Sequence, residues 1–369
     1  MSFKQIFCQD KAISILQRAF AADKLAHAYI FAGPDGIGKF KTAYEWAKLL
    51  LCESPIIEKQ FVDSCNSCQS CQLFNAGSHP DFKHIFKELL QFTKNGKGKT
   101  TPVDLPKEVV REFLIEKLST RPVLSKRKVF ILSESEKLNT ASQNALLKAL
   151  EEPPGYCFIS LLCTHLEKLL PTTKSRCQIM RFSLIDTETI INKLKEMGIE
   201  QKKAQHFACL AQGRLGLACQ WTQLELADVN LYKTKKELVN SISSYNYADA
   251  LELAEWLLNE SKRVATAWTN LEKAISTTDI NRRAQKTLLQ IIISALNDAM
   301  KLNITNSKDL IHFDQKEQIE KLAKRFGPEQ SAEKIADCYK TLHWIDSSVN
   351  EKLIFDQLLL NLAASDTIT

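Results

Sequence analysis

An α/β domain followed by an all-helical region is the architecture this sequence predicts, on three observations. Short apolar runs alternate with helical patterns through residues 1–182. Glycine and proline then nearly vanish: ten of the eleven Gly and nine of the ten Pro precede residue 217, leaving only Gly327 and Pro328. Finally, a phosphate-loop pattern, Gly33-Pro34-Asp35-Gly36-Ile37-Gly38-Lys39-Phe40, joins the first apolar run to a helical pattern, as it should in an α/β fold.

The candidate strands are 28–32, 82–86, 128–132, 157–163 and 178–182. Each is of strand length, and their interleaving with helices favours a mostly parallel sheet. A small helical unit is expected over 183–228, with helices from about Leu184 to Trp221, and a larger helical domain over 229–369. In that last domain the runs 286–296 and 352–360 place apolar residues at helical spacing. Such stripes form cores, and some also pack against other subunits.

A chain of 369 residues exceeds one ordinary domain and predicts two or three. No apolar run approaches a membrane span, and Met1-Ser2-Phe3-Lys4-Gln5 opens into an amphipathic pattern rather than a signal peptide. The expectation is a cytoplasmic protein with no membrane contact, in which eleven cysteines read as thiols or a metal site rather than a disulfide framework. The net charge is only +6, but residues 83–128 hold twelve Lys/Arg against five Asp/Glu, a local excess of seven. Such a segment suits nucleic-acid phosphates or an acidic partner, and equally a solvated face. Within it, 93–106, with Lys94, Lys97 and Lys99, has the composition of a flexible basic loop.

The phosphate loop is damaged on its metal side. Gly33, Gly36, Gly38 and Lys39 stand ready to cradle phosphate, but Phe40 occupies the Ser/Thr position whose hydroxyl would coordinate Mg²⁺. The 128–132 strand runs into Ser133 before reaching Glu134, so the acidic residue that should complete the metal site is displaced too. A chance glycine-rich turn is one reading; a P-loop with impaired hydrolysis is favoured by the order strand, loop, helix, strand. Without the metal to offset its charge, ATP at this site is doubtful.

Cys65-x2-Cys68-x2-Cys71 follows Cys52 after twelve intervening residues, giving four thiolates, enough for one tetrahedral zinc. Four cysteines leave no open position, so that zinc would be structural; an iron-sulfur centre and ordinary reduced thiols are the alternatives. The spacers Asn66, Ser67, Gln69 and Ser70 are polar, which suits a surface knuckle. Pro171-Thr172-Thr173-Lys174-Ser175-Arg176-Cys177 lies between two strands, placing Arg176 on a loop or short helix. From the residues alone it is either an ordinary surface arginine or one able to reach a neighbour's phosphate.

His27-Ala28-Tyr29-Ile30-Phe31 before Gly33-Pro34, the four-cysteine run, His79-Pro80-Asp81, Asn144-Ala145-Leu146-Leu147-Lys148 before Leu150-Glu151-Glu152-Pro153-Pro154, and Leu169-Leu170-Pro171-Thr172 before Ser175-Arg176-Cys177 together resemble the bacterial clamp-loader ATPase family. The motifs are moderate singly and specific jointly, and they cover residues 1 to about 182. The helical remainder is similar only in length and composition. The resemblance implies an AAA+ P-loop domain at 1–182 with a zinc-binding insertion at 52–71, a lid domain at 183–228 and a collar or oligomerisation domain at 229–369. It also implies partners: motor subunits and a delta subunit in a hetero-pentamer, a sliding clamp, and primed DNA reached through the assembly.

Residue by residue, the resemblance makes Lys39 the phosphate-contacting lysine, Glu134 the second acidic position after the Walker B strand and Thr164 the sensor-one position. It makes Arg176 an arginine finger, catalytic in trans on a neighbour's ATP. The family's lid pattern is Gly-x-x-Arg-x-Ala, and Gly213-Arg214-Leu215-Gly216-Leu217-Ala218 puts Gly216 where its arginine belongs. Departures at Phe40, Ser133 and Gly216 beside an intact Arg176 fit the non-hydrolysing branch of the family. An ATP-hydrolysing motor subunit, and a DNA-binding module built on the knuckle and the basic segment, are the competing expectations.

Overall fold

The computed structural model describes residues 2–58, 61–94, 104–227, 229–272, 275–305, 309–347 and 349–363. Lys97 and Lys99 of the expected basic loop lie outside the described residues. The chain divides into two compact units, Met1–Thr189 with Gly213–Leu217, and Ile190–Gln212 with Ala218–Thr369. Among the described residues no helix is long and apolar enough to cross a membrane.

In the first unit the strands are β1 (Ala28–Ala32), β2 (Ile56–Glu58), β3 (Phe61–Asp63), β4 (Phe82–Ile85), β5 (Lys128–Leu132), β6 (Cys157–Cys163) and β7 (Gln178–Arg181). Five of them form one parallel sheet in the order β4-β5-β6-β1-β7. The sequence anticipates all five to within a residue: β1, β5 and β6, buried along their whole length, read as nearly unbroken apolar runs, while the edge strands β4 and β7 mix apolar with polar residues and are partly exposed. It does not anticipate β2 and β3, a short antiparallel pair beside the cysteine run.

Side chains leave β1 alternately to two cores. Tyr29 and Phe31 pack with Trp46, Leu49 and Leu50 of the helix Lys39–Leu51 on one face, while Ala28, Ile30 and Ala32 pack with Leu146, Ala149 and Leu150 of the helix Thr140–Glu151 on the other. β1 is also hydrogen-bonded on both edges, Ile30 standing opposite Leu161 of β6 and Ile179 of β7. From β1 the chain crosses to the edge strand β4, whereas from its neighbour β6 it crosses the opposite way to β7, and connections that diverge from neighbouring strands open a crevice at their carboxyl ends. The phosphate loop leaves β1 at that end.

Among the described residues the second unit contains helices and no strand. Its longest helix, Thr277–Thr305, buries Leu288, Leu289, Ile291, Ile292, Ile293, Ala295 and Leu296 together. Seven buried apolar residues in nine cover almost the whole circumference, so the amphipathic stripe expected over 286–296 is instead a central helix. Around it lies a polar cluster: Lys235 Nζ is 2.5 Å from Asp314 Oδ1, Tyr232 donates to Asp314 Oδ2 at 2.7 Å, and His312 Nε2 sits 2.8 Å from Ser294 Oγ. His206 is fully enclosed, one ring nitrogen 3.2 Å from the Ile311 carbonyl and the other without a partner.

Burial, reinforced by nearby Lys235, pushes the His206 imidazole down to about 3. Its folded-state pKa lies below the unfolded value of about 6.5, so its contribution is full above that value and is lost as pH falls toward 3. Denaturant titration should show stability about 2 kcal/mol lower at pH 5 than at pH 7.5 from this group alone. Equal or greater stability at pH 5 would contradict a neutral buried His206.

Candidate functional site

The phosphate loop closes on itself. Gly36 and Gly38 adopt φ of 78° and 97°, the left-handed region that side chains disfavour, and Gly38 caps the helix Lys39–Leu51. Gly33 N–H donates to the Cys163 carbonyl at 3.1 Å, tying the loop to the end of β6. Lys39 does not project outward: its Nζ donates to the carbonyls of Gly33 at 2.7 Å and Pro34 at 2.6 Å. Burial lowers its pKa, against the pull of Asp35 and Glu136. The Gly36 N–H, a natural phosphate donor, is taken by Asp35 Oδ1 at 2.9 Å.

Gly216 lies directly on this loop. Its N–H donates to the Gly36 carbonyl at 2.6 Å. A Cβ added at Gly216 would stand 2.9 Å from Gly36 Cα and 3.1 Å from Gly36 O, both backbone atoms that cannot swing aside. An arginine at this position has no room in the present packing.

On the metal side, an aromatic group replaces the expected oxygen ligands. The Phe40 ring centroid is 4.8 Å from that of His84 and 5.9 Å from that of Tyr44. His84, on β4, places Nε2 2.8 Å from Ser133 Oγ, so the residues at the two missing metal-ligand positions meet on one imidazole. Burial pushes His84 down to about 4, which keeps the ring neutral near pH 7. Glu134 is turned to Lys137, 2.5 Å from its Nζ, and Thr164 is held by Glu136 through both its backbone N–H, at 3.2 Å, and its hydroxyl.

Four thiols converge at the end of the same helix. Cys52 follows its last residue, Cys65 and Cys68 lie beyond β3, and Cys71 is inside the helix Gln69–Asn75. Their sulfurs all lie within 4.8 Å of one another, with separations of 3.6 Å for Cys52–Cys65, 3.9 Å for Cys52–Cys68 and 4.0 Å for Cys65–Cys71. A tetrahedral ion with metal–sulfur bonds of about 2.3 Å needs sulfur separations of about 3.8 Å, so the cluster fits a thiophilic metal. Backbone N–H groups of Cys65, Cys68 and Cys71 donate to the sulfurs of Cys52, Cys65 and Cys68 at 3.3–3.4 Å, and such bonds support thiolates. Burial raises Cys52 to about 11, whereas at Cys65 the raising effect of burial is outweighed by hydrogen bonds from Cys68 and Ser67, bringing it to about 6.

The His79-Pro80-Asp81 motif ties this knuckle to the sheet. Asp81 accepts from the N–H groups of Val123, Leu124 and Ser125 at 2.7–2.8 Å. His79 Nε2 is 2.9 Å from Ser70 Oγ, within the knuckle, and its Nδ1 accepts from Asp81 N–H at 3.1 Å.

Arg176 follows the short helix Pro171–Lys174 and precedes β7. Its NH2 is 2.5 Å from Glu151 Oε1, and its NH1 donates to the Thr172 carbonyl at 2.9 Å. Gln143, which the sequence does not single out, links the other end of the Glu151 helix to the same segment: its amide donates to the Lys168 carbonyl at 3.3 Å and accepts from Leu170 N–H at 2.8 Å.

Residues 8–186 match the family model described as DNA polymerase III, delta subunit, and residues 272–364 match DNA polymerase III, delta subunit, C terminal. The chain belongs to the AAA+ clamp-loader family. It is 39% identical over 152 residues to the DNA polymerase III subunit delta' of Pseudomonas aeruginosa, 41% of this chain and 42% of that one. It is 24% identical over 354 residues to subunit delta' of Bacillus subtilis, 96% of each chain. It is also 28% identical over 294 residues to subunit gamma/tau of Mycoplasma genitalium, covering 80% of this chain and 41% of that one. The match thus spans less than half the length of the Pseudomonas and Mycoplasma relatives. Among solved structures, a DNA polymerase III gamma subunit-related protein from Thermotoga maritima aligns over 95% of this clamp-loader chain and 98% of its own at 15% identity and a TM-score of 0.41.

Two outcomes follow from this geometry. Gly216→Ala should destabilise the first unit by about 1–3 kcal/mol through overpacking on Gly36, read by urea denaturation; an unchanged midpoint would refute the close contact. Cys68→Ser, or chelator treatment of the wild type, should release the bound metal and lower the melting temperature of the first unit, because ligation and folding are coupled. Metal retained at wild-type stoichiometry in Cys68→Ser, with unchanged melting, would refute the four-cysteine site.

Proposed function

We propose that this chain is the non-hydrolysing, delta-prime-type subunit of a bacterial replicative clamp loader. In this reading it joins motor subunits and a delta subunit in a cytoplasmic hetero-pentamer that opens a ring-shaped sliding clamp and places it on primed DNA. Residues 1–182 are its AAA+ domain, 183–228 its lid and 229–369 its collar. Cys52, Cys65, Cys68 and Cys71 hold a structural zinc, which cross-links the knuckle and leaves no coordination site for chemistry.

The observation that carries the reading is the self-satisfied loop. Lys39 spends its ammonium on the Gly33 and Pro34 carbonyls, while Phe40 and Ser133 meet on neutral His84 where hydroxyl and carboxylate would hold Mg²⁺. A nucleotide would have to break those bonds and bring its charge to a site without a metal ligand. Arg176, by contrast, lies on an exposed turn, where its guanidinium can meet a γ-phosphate bound by a neighbour.

A motor of the gamma/tau type is the second reading. It is favoured by the relatives of that name, including the tau subunit of Bacillus subtilis, 28% identical over 283 residues, and by the retained Gly33, Gly36, Gly38 and Lys39.

ATP binding and steady-state hydrolysis separate the two. The chain alone should be silent, should be required for full primed-DNA-stimulated hydrolysis by its motor partners, and as Arg176→Ala should lower that hydrolysis about tenfold or more while folding normally. Hydrolysis by the isolated chain, abolished by Lys39→Ala, would make it a motor. An assembled Arg176→Ala loader of normal activity would remove the finger.

A further inference from the structure

We propose that Glu151 is a positioning residue for Arg176, presetting its guanidinium for a neighbouring subunit's phosphate; this rests on the arginine-finger reading above. Arginine carries five N–H donors in a rigid plane. Here NH1 is bonded to the Thr172 carbonyl at 2.9 Å and Ser175 Oγ at 3.3 Å, and NH2 to Glu151 Oε1 at 2.5 Å. Anchors on both terminal nitrogens fix the plane of the fork. Among the described residues nothing takes the Nε–H or the second NH2 hydrogen, so two donors remain for an incoming oxyanion.

Fold stability does not account for this ion pair. Glu151 is the last residue of its helix, at the negative end of the helix dipole, where a carboxylate is disfavoured by about 0.3–1 kcal/mol. A half-exposed ion pair returns about the same amount, so the two effects nearly cancel. What the pair does achieve is order. A long, flexible side chain on a surface turn is held in one orientation before any partner arrives, which removes an entropic cost from the step in which it meets the phosphate.

The same exposure explains why the carboxylate does not simply silence the arginine. With 32% and 45% of the two side chains open to water, their attraction is screened. A phosphoryl group of higher charge can then share the guanidinium. The scaffold is firm, since the helix carrying Glu151 packs into the sheet through Leu146, Ala149 and Leu150 and holds the Arg176 segment at its other end through Gln143.

The test is primed-DNA-stimulated ATP hydrolysis by the loader reassembled from this chain and its motor and delta subunits, with melting of each variant as a folding control. Glu151→Ala should lower kcat about threefold with KM for ATP changed less than about twofold, and Glu151→Gln, which keeps the acceptor oxygen, should return kcat to within about twofold of wild type. In an Arg176→Ala background, Glu151→Ala should have no further effect, because its only route to the reaction is gone. A Glu151→Ala loader as fast as wild type, or a loss that persists without Arg176, overturns the inference while the finger reading stands. If Arg176→Ala is itself without effect, the finger reading fails and the inference falls with it.

Discussion

The first unit depends on the double confinement of β1. Its five residues are paired with β6, four of them also with β7, and all are buried, so it has neither lateral nor rotational freedom. Where pairing stops, the chain must leave the sheet at a fixed point and turn at once into the helix Lys39–Leu51. Only glycine backbone follows that path at φ of 78° and 97°, and the Gly33 hydrogen bond to Cys163 fixes its start. A single buried strand thus sets the position of the loop, of Phe40 and, at the far end of the helix, of Cys52. The knuckle and the loop are two ends of one lever.

A loop so placed must do something with its polar groups. An ammonium as buried as that of Lys39 is costly without partners, and the peptide dipoles of a tight glycine turn are strong ones. A nucleotide with its metal would satisfy them in a motor. In this chain the loop's own carbonyls take Lys39, Asp35 takes the Gly36 N–H, and Gly216 takes the Gly36 carbonyl. Under the proposed function, the departures at Phe40, Ser133 and Gly216 belong together: Phe40 and Ser133 meet on His84, and Gly216 donates to the Gly36 carbonyl.

The sequence reveals those features whose cause is local. The three central strands β1, β5 and β6 are visible because burial on both faces demands nearly continuous apolar runs, and the four cysteines because the metal geometry demands short spacings. The pair β2 and β3 is invisible, since Ile56–Glu58 and Phe61–Asp63 are too short to show a period and β3 is held from far off in the chain, by Gln17 on the Val62 carbonyl and Phe3 N–H on Asp63. The central position of the helix Thr277–Thr305 is likewise a matter of neighbours: its apolar run reads as one face until other helices surround it. In the site, Lys39, Phe40 and Ser133 are legible by register with a motif. His84, Gln143 and Glu151 are not, because each matters only through a residue brought to it from elsewhere in the chain: His84 through Phe40 and Ser133, Gln143 through Leu170, Glu151 through Arg176. His79-Pro80-Asp81 was visible as a motif, but its work of holding the N–H groups of Val123, Leu124 and Ser125 was not.

The two cations to which the proposed function assigns phosphate, Lys39 and Arg176, are held in opposite ways, and electrostatics explains the contrast. Lys39 is enclosed, bonded to two carbonyls, and shifted toward its neutral form by burial. Arg176 is partly exposed and is held by a carboxylate that water screens. A cation meant to work within its own subunit would need the first group open, whereas one meant to work on a neighbour needs the second both ordered and accessible. Guanidinium suits that second task because it remains charged when a partner surface excludes water, while its planar fork keeps donors free after two anchors are made. Under the proposed function, this distribution of order and exposure is what a subunit would need whose own loop is closed and whose arginine serves a neighbour.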